Sequence, residues 1–322
     1  MLLSLAACAR ERRFEFTRVA MGVEARVVVY ARDGARAAEA AGVAYDRIEA
    51  IDLALSDYRA ASEVSRLSAA RAGERVAVSA DFEACARRAL EIARLSGGAY
   101  DPTVGPVVRL WREARRLGER PDEEALGQAR ALVDYRFVGV EGGRAWKVRE
   151  GVTLDFGGIG KGYAAHQALL ALRGAGHPRA LVSLAGDVAA GDAPPGAAGW
   201  TIDVGSGRGA MRRVVVRGAC VSTSGDTEQY IEIDGVRYSH IVDPRTGLGV
   251  TSRVAVTVIA ERGEEADALA SAVCVLGASS GMEFLARHFP AVRALVEWPE
   301  EVDGVEVLRQ IVRDPRGELG GG

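Results

Sequence analysis

Cysteine and histidine are both scarce in this chain, four of each in 322 residues, and the scarcity removes several function classes at once. Cys85, Cys220 and Cys274 lie far apart in apolar surroundings, so they read as small buried hydrophobes and not as a disulfide framework or a zinc site. An excess of one charge is also lacking. A formal net charge of −3, with Lys and Arg dispersed among the acids, leaves no electrostatic footprint for nucleic acid. No apolar run is long enough to span a membrane, and no internal repeat is evident. What remains, 48% hydrophobic and 26% charged, is a globular chain of a length suited to one large domain or two modest ones.

Local patterning divides that length. Phe14–Tyr30 alternates and is rich in Val and Phe, which predicts two strands broken at Met21-Gly22. Gly34–Ser56 carries Ala44, Ile48, Ile51 and Leu55 on one helical face. A second helix is expected over Asp81–Leu95, capped by Ser79 and stopped by Gly97-Gly98, and a third from Pro121 to Val133. Val152–Phe156, Gly157–Gly162, Tyr163–Arg173 and Ala180–Leu184 read as strand, glycine-rich turn, helix and strand, a βαβ unit. Ala189–Gly209 reads as a loop with an edge strand at Trp200–Val204. Val214–Val216, Ala219–Val221 and Ser252–Ala260 read as further strands, and Glu264–Leu276 as a buried helix ended by Gly277.

Three stretches carry chemistry. Ser222–Gly247, STSGDTEQYIEIDGVRYSHIVDPRTG, is the densest run of reactive side chains. Its middle is a hairpin, Tyr230–Ile233 against Val236–Ile241, turned at Asp234-Gly235, with Ser224 and Asp226 at one end and His240, Asp243 and Arg245 at the other. The glycine-rich turn lets a backbone approach an anion at a helix start, but it is neither a Walker loop, since Gly162 follows Lys161, nor a dinucleotide fingerprint, since Tyr163 stands where a glycine is required. On its glycines alone, a structural tight turn is as good a reading as a phosphate site. Asp267 and Ser271, four residues apart, share one helix face, an arrangement that is commonplace and usually structural.

Taken together and in order, these stretches resemble the FAD:protein FMN transferase, or ApbE-type, family. SHIVDPRTG carries the resemblance with TSGD upstream, and Met21-Gly22, Leu55–Leu67, Tyr100–Trp111, Leu154–Tyr163 and Ala266–Leu276 extend it from about Met21 to the last helix. The resemblance implies an α+β fold, mixed sheets and helices in two intimately packed sub-regions with FAD in the cleft between them. It implies a magnesium site of Asp267, Ser271, the Ala270 backbone and the carbonyl of Gly160. It also implies an FAD site lined by Met21, Tyr58, Ala99, Tyr100, Asp101, Gly157, Tyr163 and Ile241. Against the family pattern, Ser271 replaces Thr, Gly160 replaces Ala, Ala185-Gly186-Asp187 replaces Gly-Gly-Asp, and His166 stands where Asp is common.

The implied reaction cleaves the pyrophosphate of FAD and passes FMN through a phosphoester to a Thr or Ser hydroxyl of an acceptor flavoprotein, releasing AMP. His240 is the expected proton acceptor, because imidazole titrates near pH 6.5 and lies on the rim. Hydrolysis of FAD to FMN and AMP, or FAD binding without turnover, are the alternatives. Leu5-Ala6-Ala7-Cys8 has the form of a lipoprotein cleavage site, although the apolar run before it is short and lacks a basic residue. The expected organisation is a truncated signal and tether over 1–12, one transferase domain over 13–314 and a tail over 315–322. The expected location is the cell envelope, with membrane contact only through Cys8; a frayed cytoplasmic N-terminus is the other reading.

Overall fold

A computed structural model describes residues 10–207, 211–225, 229–303, 305–315 and 317. Cys8 and Asp226 lie outside the described residues. Strand alternation from the N-terminus gives β1 (Arg12–Ala20) and β2 (Val23–Ala31), an antiparallel hairpin. They turn at Met21 and Gly22, whose φ angles of 51° and 74° are those of a tight left-handed turn. The 22-residue helix α1 (Gly34–Leu55) follows, with Ala44, Ile48, Ile51 and Leu55 buried as the periodicity predicts. Next come α2 (Glu63–Ala69), β3 (Val76–Ala77) and α3 (Ala80–Leu95), the last capped by the Ser79 hydroxyl accepting from the Phe82 amide at 3.2 Å.

α4 (Gly105–Leu117), α5 (Glu123–Arg130), β4 (Val138–Glu141), β5 (Arg144–Lys147) and α6 (Gly160–Gly174) lead to β6 (Ala180–Leu184) and β7 (Asp187–Ala190). β8 (Trp200–Val204) pairs with β9 (Arg212–Val216), and β10 (Ala219–Ser224) precedes the hairpin of β11 (Tyr230–Ile233) and β12 (Val236–Ser239). Asp234 and Gly235, at φ 51° and 74°, make the turn expected between them. The remaining elements are β13 (Val242–Asp243), β14 (Leu248–Gly249), β15 (Ala255–Ala260), α7 (Gly263–Leu276), α8 (Ala278–His288), β16 (Arg293–Val302) and β17 (Val305–Arg313).

One eight-stranded sheet, ordered β1-β2-β6-β7-β10-β15-β16-β17 and antiparallel at every pairing, organises the molecule. Alternation assigns its faces: Val27 and Val29 join the main core with α1, α6 and α7, whereas Val28 joins Leu181, Trp200, Val214 and Ile259 beneath the β8–β9 ribbon. A smaller region has its own core of Val107, Trp111, Leu126, Ala129 and Val242, drawn from α4, α5 and β13. Trp111 Nε1 donates to the Gly247 carbonyl at 2.7 Å and ties that region to the segment after the β11–β12 hairpin. The fold is thus mixed α+β.

Several sequence expectations are corrected. Val152–Phe156 is not a strand, so the βαβ unit does not form. The segment is buried by helices instead of paired: the Asp155 amide donates to the Pro102 carbonyl at 2.8 Å, and Gly105 of α4 lies so close that a Cβ there would stand 2.8 Å from the Thr153 carbonyl oxygen. α6 begins at Gly160, because Gly160, Lys161 and Gly162 are the first turn of the helix and not a loop before it. α5 starts after Pro121, since the Asp122 side chain accepts from the Ala125 amide at 2.8 Å and is the cap. β12 stops at Ser239 and β15 begins at Ala255, both shorter than expected.

The closest helix approach lies at two of those glycines. A Cβ on Gly162 would stand 2.2 Å from the Gly263 carbonyl oxygen, and one on Gly263 would stand 2.0 Å from that of Gly162. Backbone meets backbone there, so no side chain can yield. Gly162→Ala is expected to lower the unfolding free energy by about 3 kcal/mol or more through overpacking. Gly174→Ala, at the open end of α6 where a Cβ meets nothing within 4 Å, is expected to be neutral or stabilising by up to about 1 kcal/mol. Chemical denaturation of the two variants beside the parent checks both values.

Candidate active site

The first turn of α6 has no side-chain cap of its own, since Ile159 occupies the N-cap. The cap comes from α7 instead: Asp267 accepts from the Gly162 amide at 3.0 Å, across the glycine contact. A carboxylate at a helix N-terminus is favoured by the free amides and the macrodipole there. Asp267 is also only 2% exposed, so ionising it opposes desolvation. Burial first, and Asp187 second, push its carboxyl up to about 7, with Lys161 and the Gly162 amide pulling the other way.

Lys161 binds the acids together. Its Nζ lies 2.8 Å from Asp187 and 3.9 Å from Asp267, while the Ser222 hydroxyl donates to the other oxygen of Asp187 at 2.5 Å. Burial alone would lower the lysine, but Asp187 and Asp267 outweigh it and leave the ammonium above its usual range. One ammonium thus serves two buried carboxyls, Asp187 directly and Asp267 at longer range. Ser271, one turn beyond Asp267, has its hydroxyl 3.5 Å from that of Ser224 at the end of β10. A Cβ on Gly158 would stand 2.9 Å from the Ser271 Oγ, so a larger residue there would displace the serine hydroxyl.

Among the described residues no group of three or more His, Cys, Asp or Glu side chains could hold a metal. The donor set at α7 is of another kind, a carboxylate, a hydroxyl and main-chain oxygens. Such a set suits a hard, oxygen-seeking cation such as magnesium, and a divalent charge beside Asp267 would relieve a carboxylate that burial disfavours. The residues present therefore fit the implied ion. Asp267, Ser271, the Ala270 backbone in the same turn of α7 and the Gly160 carbonyl in the first turn of α6 are those that would hold it.

Of the residues expected along FAD, several gather here. Met21 and Leu55 reach within 3.9 Å of where a Cβ on Gly160 would be. Gly157 donates its amide to Asp155 at 2.7 Å. Tyr100 packs its ring 3.5 Å from the corresponding point on Gly158, and its buried hydroxyl has no hydrogen-bond partner among the described residues. Burial foremost, with Cys85, Asp267, Asp155 and Asp101 adding to it, raises that phenol well above its usual range. An orphaned buried hydroxyl beside a glycine turn suits a polar ligand. Ala99 is buried next to it.

Others are differently engaged. Asp101 holds its own loop, accepting from the Thr103 amide and hydroxyl at 2.8 and 2.6 Å and from the Tyr135 amide at 2.8 Å. Tyr163 donates to Asp81 on α3 at 2.8 Å. Tyr58 is 77% exposed on the loop after α1. Ile241 packs against the main core. His240 has Nδ1 and its backbone amide each 3.0 Å from the Gln229 carbonyl, which fixes the ring against the residue that precedes β11. Arg245 pairs with Asp243 at 2.9 Å and reaches within 4.0 Å of the Cβ point of Gly98, joining the DPRTG segment to the end of α3.

His166 sits at the helix crossing: its Nδ1 accepts from the Gly263 amide at 3.4 Å and lies 3.5 Å from buried Glu264. Lys161, Asp187 and Ser222 are central here yet absent from the residues assigned by sequence. Lys161 lay within the GIGKGY motif and Asp187 within the AGD that departs from the family's Gly-Gly-Asp, and a charge in a glycine-rich stretch was the available signal. Ser222 opens the run of reactive side chains, but a lone serine in a strand gave no reason to single it out.

Residues 21–296 match the ApbE family. A FAD:protein FMN transferase of Treponema pallidum (strain Nichols) is 34% identical over 329 residues, covering 93% of this chain and 91% of its own. The Vibrio cholerae protein of the same name is 31% identical over 242 residues, covering 73% and 72%. The crystal structure of the Pseudomonas stutzeri flavinyl transferase ApbE in its apo form shares the fold with a TM-score of 0.85 at 30% identity, covering 97% of this chain and 98% of that one. With the family matched across most of its length and relatives similar nearly end to end, the chain belongs to the ApbE family of enzymes.

Proposed function

We propose that this enzyme transfers FMN from FAD to a Thr or Ser hydroxyl of an acceptor flavoprotein and releases AMP, with magnesium as its cofactor. The observation that carries the reading is the buried carboxylate of Asp267, shared between the glycine-rich start of α6 and Lys161, in a chain similar to FAD:protein FMN transferases. Phosphoryl transfer asks for positioning and charge neutralisation more than for covalent chemistry by the protein. The amides and dipole at the start of α6 suit the pyrophosphate, and the Lys161 ammonium adds fixed positive charge beside it. When bound, magnesium supplies the charge that offsets the pyrophosphate and the departing AMP.

In that reaction the acceptor oxygen bonds to the FMN phosphorus, the bond from that phosphorus to the AMP oxygen breaks, and the acceptor's proton passes to His240 Nε2. The contact between Nδ1 and the Gln229 carbonyl supports this reading by holding the ring in one orientation. The same reading puts the protein in the cell envelope, anchored through a lipidated Cys8.

Incubation with FAD, magnesium and an acceptor domain bearing a flavinylation Thr tests the reaction. A mass gain on the acceptor equal to an FMN phosphoester is expected. AMP and free FMN without that gain would make the enzyme a pyrophosphatase.

His240→Ala is expected to slow transfer about a hundredfold while FAD affinity stays within about twofold of the parent, read by rapid-quench rates and flavin fluorescence. Wild-type transfer by the variant would remove the base role.

The pH behaviour follows from Asp267. Its folded-state value lies above that of an unfolded aspartate, so its contribution to stability is complete at low pH and is lost as pH rises through about 7. Asp267→Asn should lose that dependence, becoming more stable than the parent at pH 8 without divalent cation by on the order of 1 kcal/mol or more. Magnesium should raise the melting temperature of the parent at pH 8 and leave the Asn variant unmoved.

A further inference from the structure

α6 and α7 meet as near equals. Each starts without a side-chain cap of its own, Ile159 standing at the N-cap of one and Arg262 at that of the other. Each has a glycine at the crossing, Gly162 and Gly263, and a polar side chain four residues on, His166 and Asp267, set by that spacing on the same helix face as the glycine. The caps are then exchanged. Asp267 of α7 accepts from the Gly162 amide of α6 at 3.0 Å, and His166 of α6 accepts through Nδ1 from the Gly263 amide of α7 at 3.4 Å. The Asp267 Cβ lies 2.7 Å from the Cβ point of Gly162, and the His166 Cβ 2.9 Å from that of Gly263, so the two halves match in closeness as well. The His166 nitrogen also lies 3.5 Å from Glu264 Oε2, a buried oxygen with no hydrogen-bond partner among the described residues. One ring nitrogen cannot accept from the amide and donate to the carboxylate at once, and the orphaned oxygen leaves it to the amide.

We propose that His166 is a positioning residue for the magnesium site: by tying the start of α7 to α6, it sets where Asp267, one turn further along α7, presents its carboxylate. The proposal rests on the reading of Asp267 as a magnesium ligand and goes beyond it, since His166 touches neither the ion nor FAD. Asp267 ties α7 to α6 in one direction and His166 in the other, so the loss of either leaves the crossing held from one side only. Magnesium demands near-ideal octahedral geometry, so a carboxylate that shifts with its helix binds the ion less well. Groups that orient metal ligands from behind are worth about ten- to a hundredfold in metal affinity. The tie requires only an acceptor at position 166. Asparagine keeps one without adding charge beside Glu264, and leucine fills similar space and offers none.

The test has two readouts. Calorimetric titration of magnesium chloride into FAD-free protein at pH 8 is expected to show affinity about tenfold weaker in His166→Leu and within about twofold of the parent in His166→Asn. Amide hydrogen exchange reads the tie without the ion. In His166→Leu the Gly162 amide, whose own partner Asp267 is unchanged, is expected to exchange about tenfold faster than in the parent, after correction for any change at Val258 in the core strand β15, which reports global unfolding. In His166→Asn it is expected to exchange as in the parent. Parent-like magnesium affinity in His166→Leu, losses as large in His166→Asn, or a Gly162 amide that follows Val258 overturns the proposal and leaves His166 a packing residue. If His166→Leu fails to fold, His166→Ala, which also lacks an acceptor, decides by the same two measurements. If the parent protein binds no magnesium, the reading of Asp267 as its ligand falls, and the exchange of Gly162 still decides whether His166 holds Asp267 in place.

Discussion

The contact between Gly162 and Gly263 is the constraint on which the site depends. Two helix starts approach until each backbone oxygen sits where a Cβ of the other would be, and only glycine permits that distance. Because α7 comes so near, its Asp267 supplies the cap that α6 lacks, and because α6 begins at Gly160, Lys161 falls beside the same carboxylate. The sheet holds this crossing in place. α6 packs on β6 and β7 and α7 on β10 and β15, so the two helices share one face of the same antiparallel sheet.

The crossing also makes the region electrostatically unusual. Asp267 and Asp187 are both nearly inaccessible, and the one ammonium between them lies against Asp187 and farther from Asp267. Buried charge of this kind is unfavourable for folding alone and is retained where a site uses it. Around it the protein has been careful with its remaining acids. Burial pushes Glu264 up, but the His166 ring beside it, its own backbone amide and Arg262 outweigh that and leave it below the usual range. His166 therefore works in the framework of the crossing, on the side of α6 that faces Gly263 and Glu264.

The smaller region contributes the other side. Trp111 and Gly247 fasten the DPRTG segment to α4, and Arg245 extends toward Gly98 at the end of α3. Arg112 leaves the same helix α4 toward Asp155, so one helix contacts both the glycine-rich turn and the segment that follows His240.

Sequence by itself determined what depends on neighbours a few residues away. The turn at Asp234-Gly235 followed from residues that tolerate positive φ, the one at Met21-Gly22 from its glycine alone, and the cap of α3 from a hydroxyl three residues before an amide. The face of α1 followed from its 3.6-residue period, and the family followed from motifs read in order. What only the tertiary structure decided depends on distance through space. The apolar run Val152–Phe156 looked like a strand because burial leaves the same composition whether the neighbour is a strand or a helix. The hairpin of β16 and β17, with nine paired positions, is not of that kind, since Asp303-Gly304 between the strands is the same local turn signal as Asp234-Gly235. Above all, Lys161, Asp187 and Ser222 are separated by tens of residues, and nothing local says that their side chains meet. Asp187 and Ser222 meet because β7 and β10 pair at those positions, and Lys161 joins them because α6 starts against α7 at two glycines a hundred residues apart, whose message in the sequence is only the absence of a side chain.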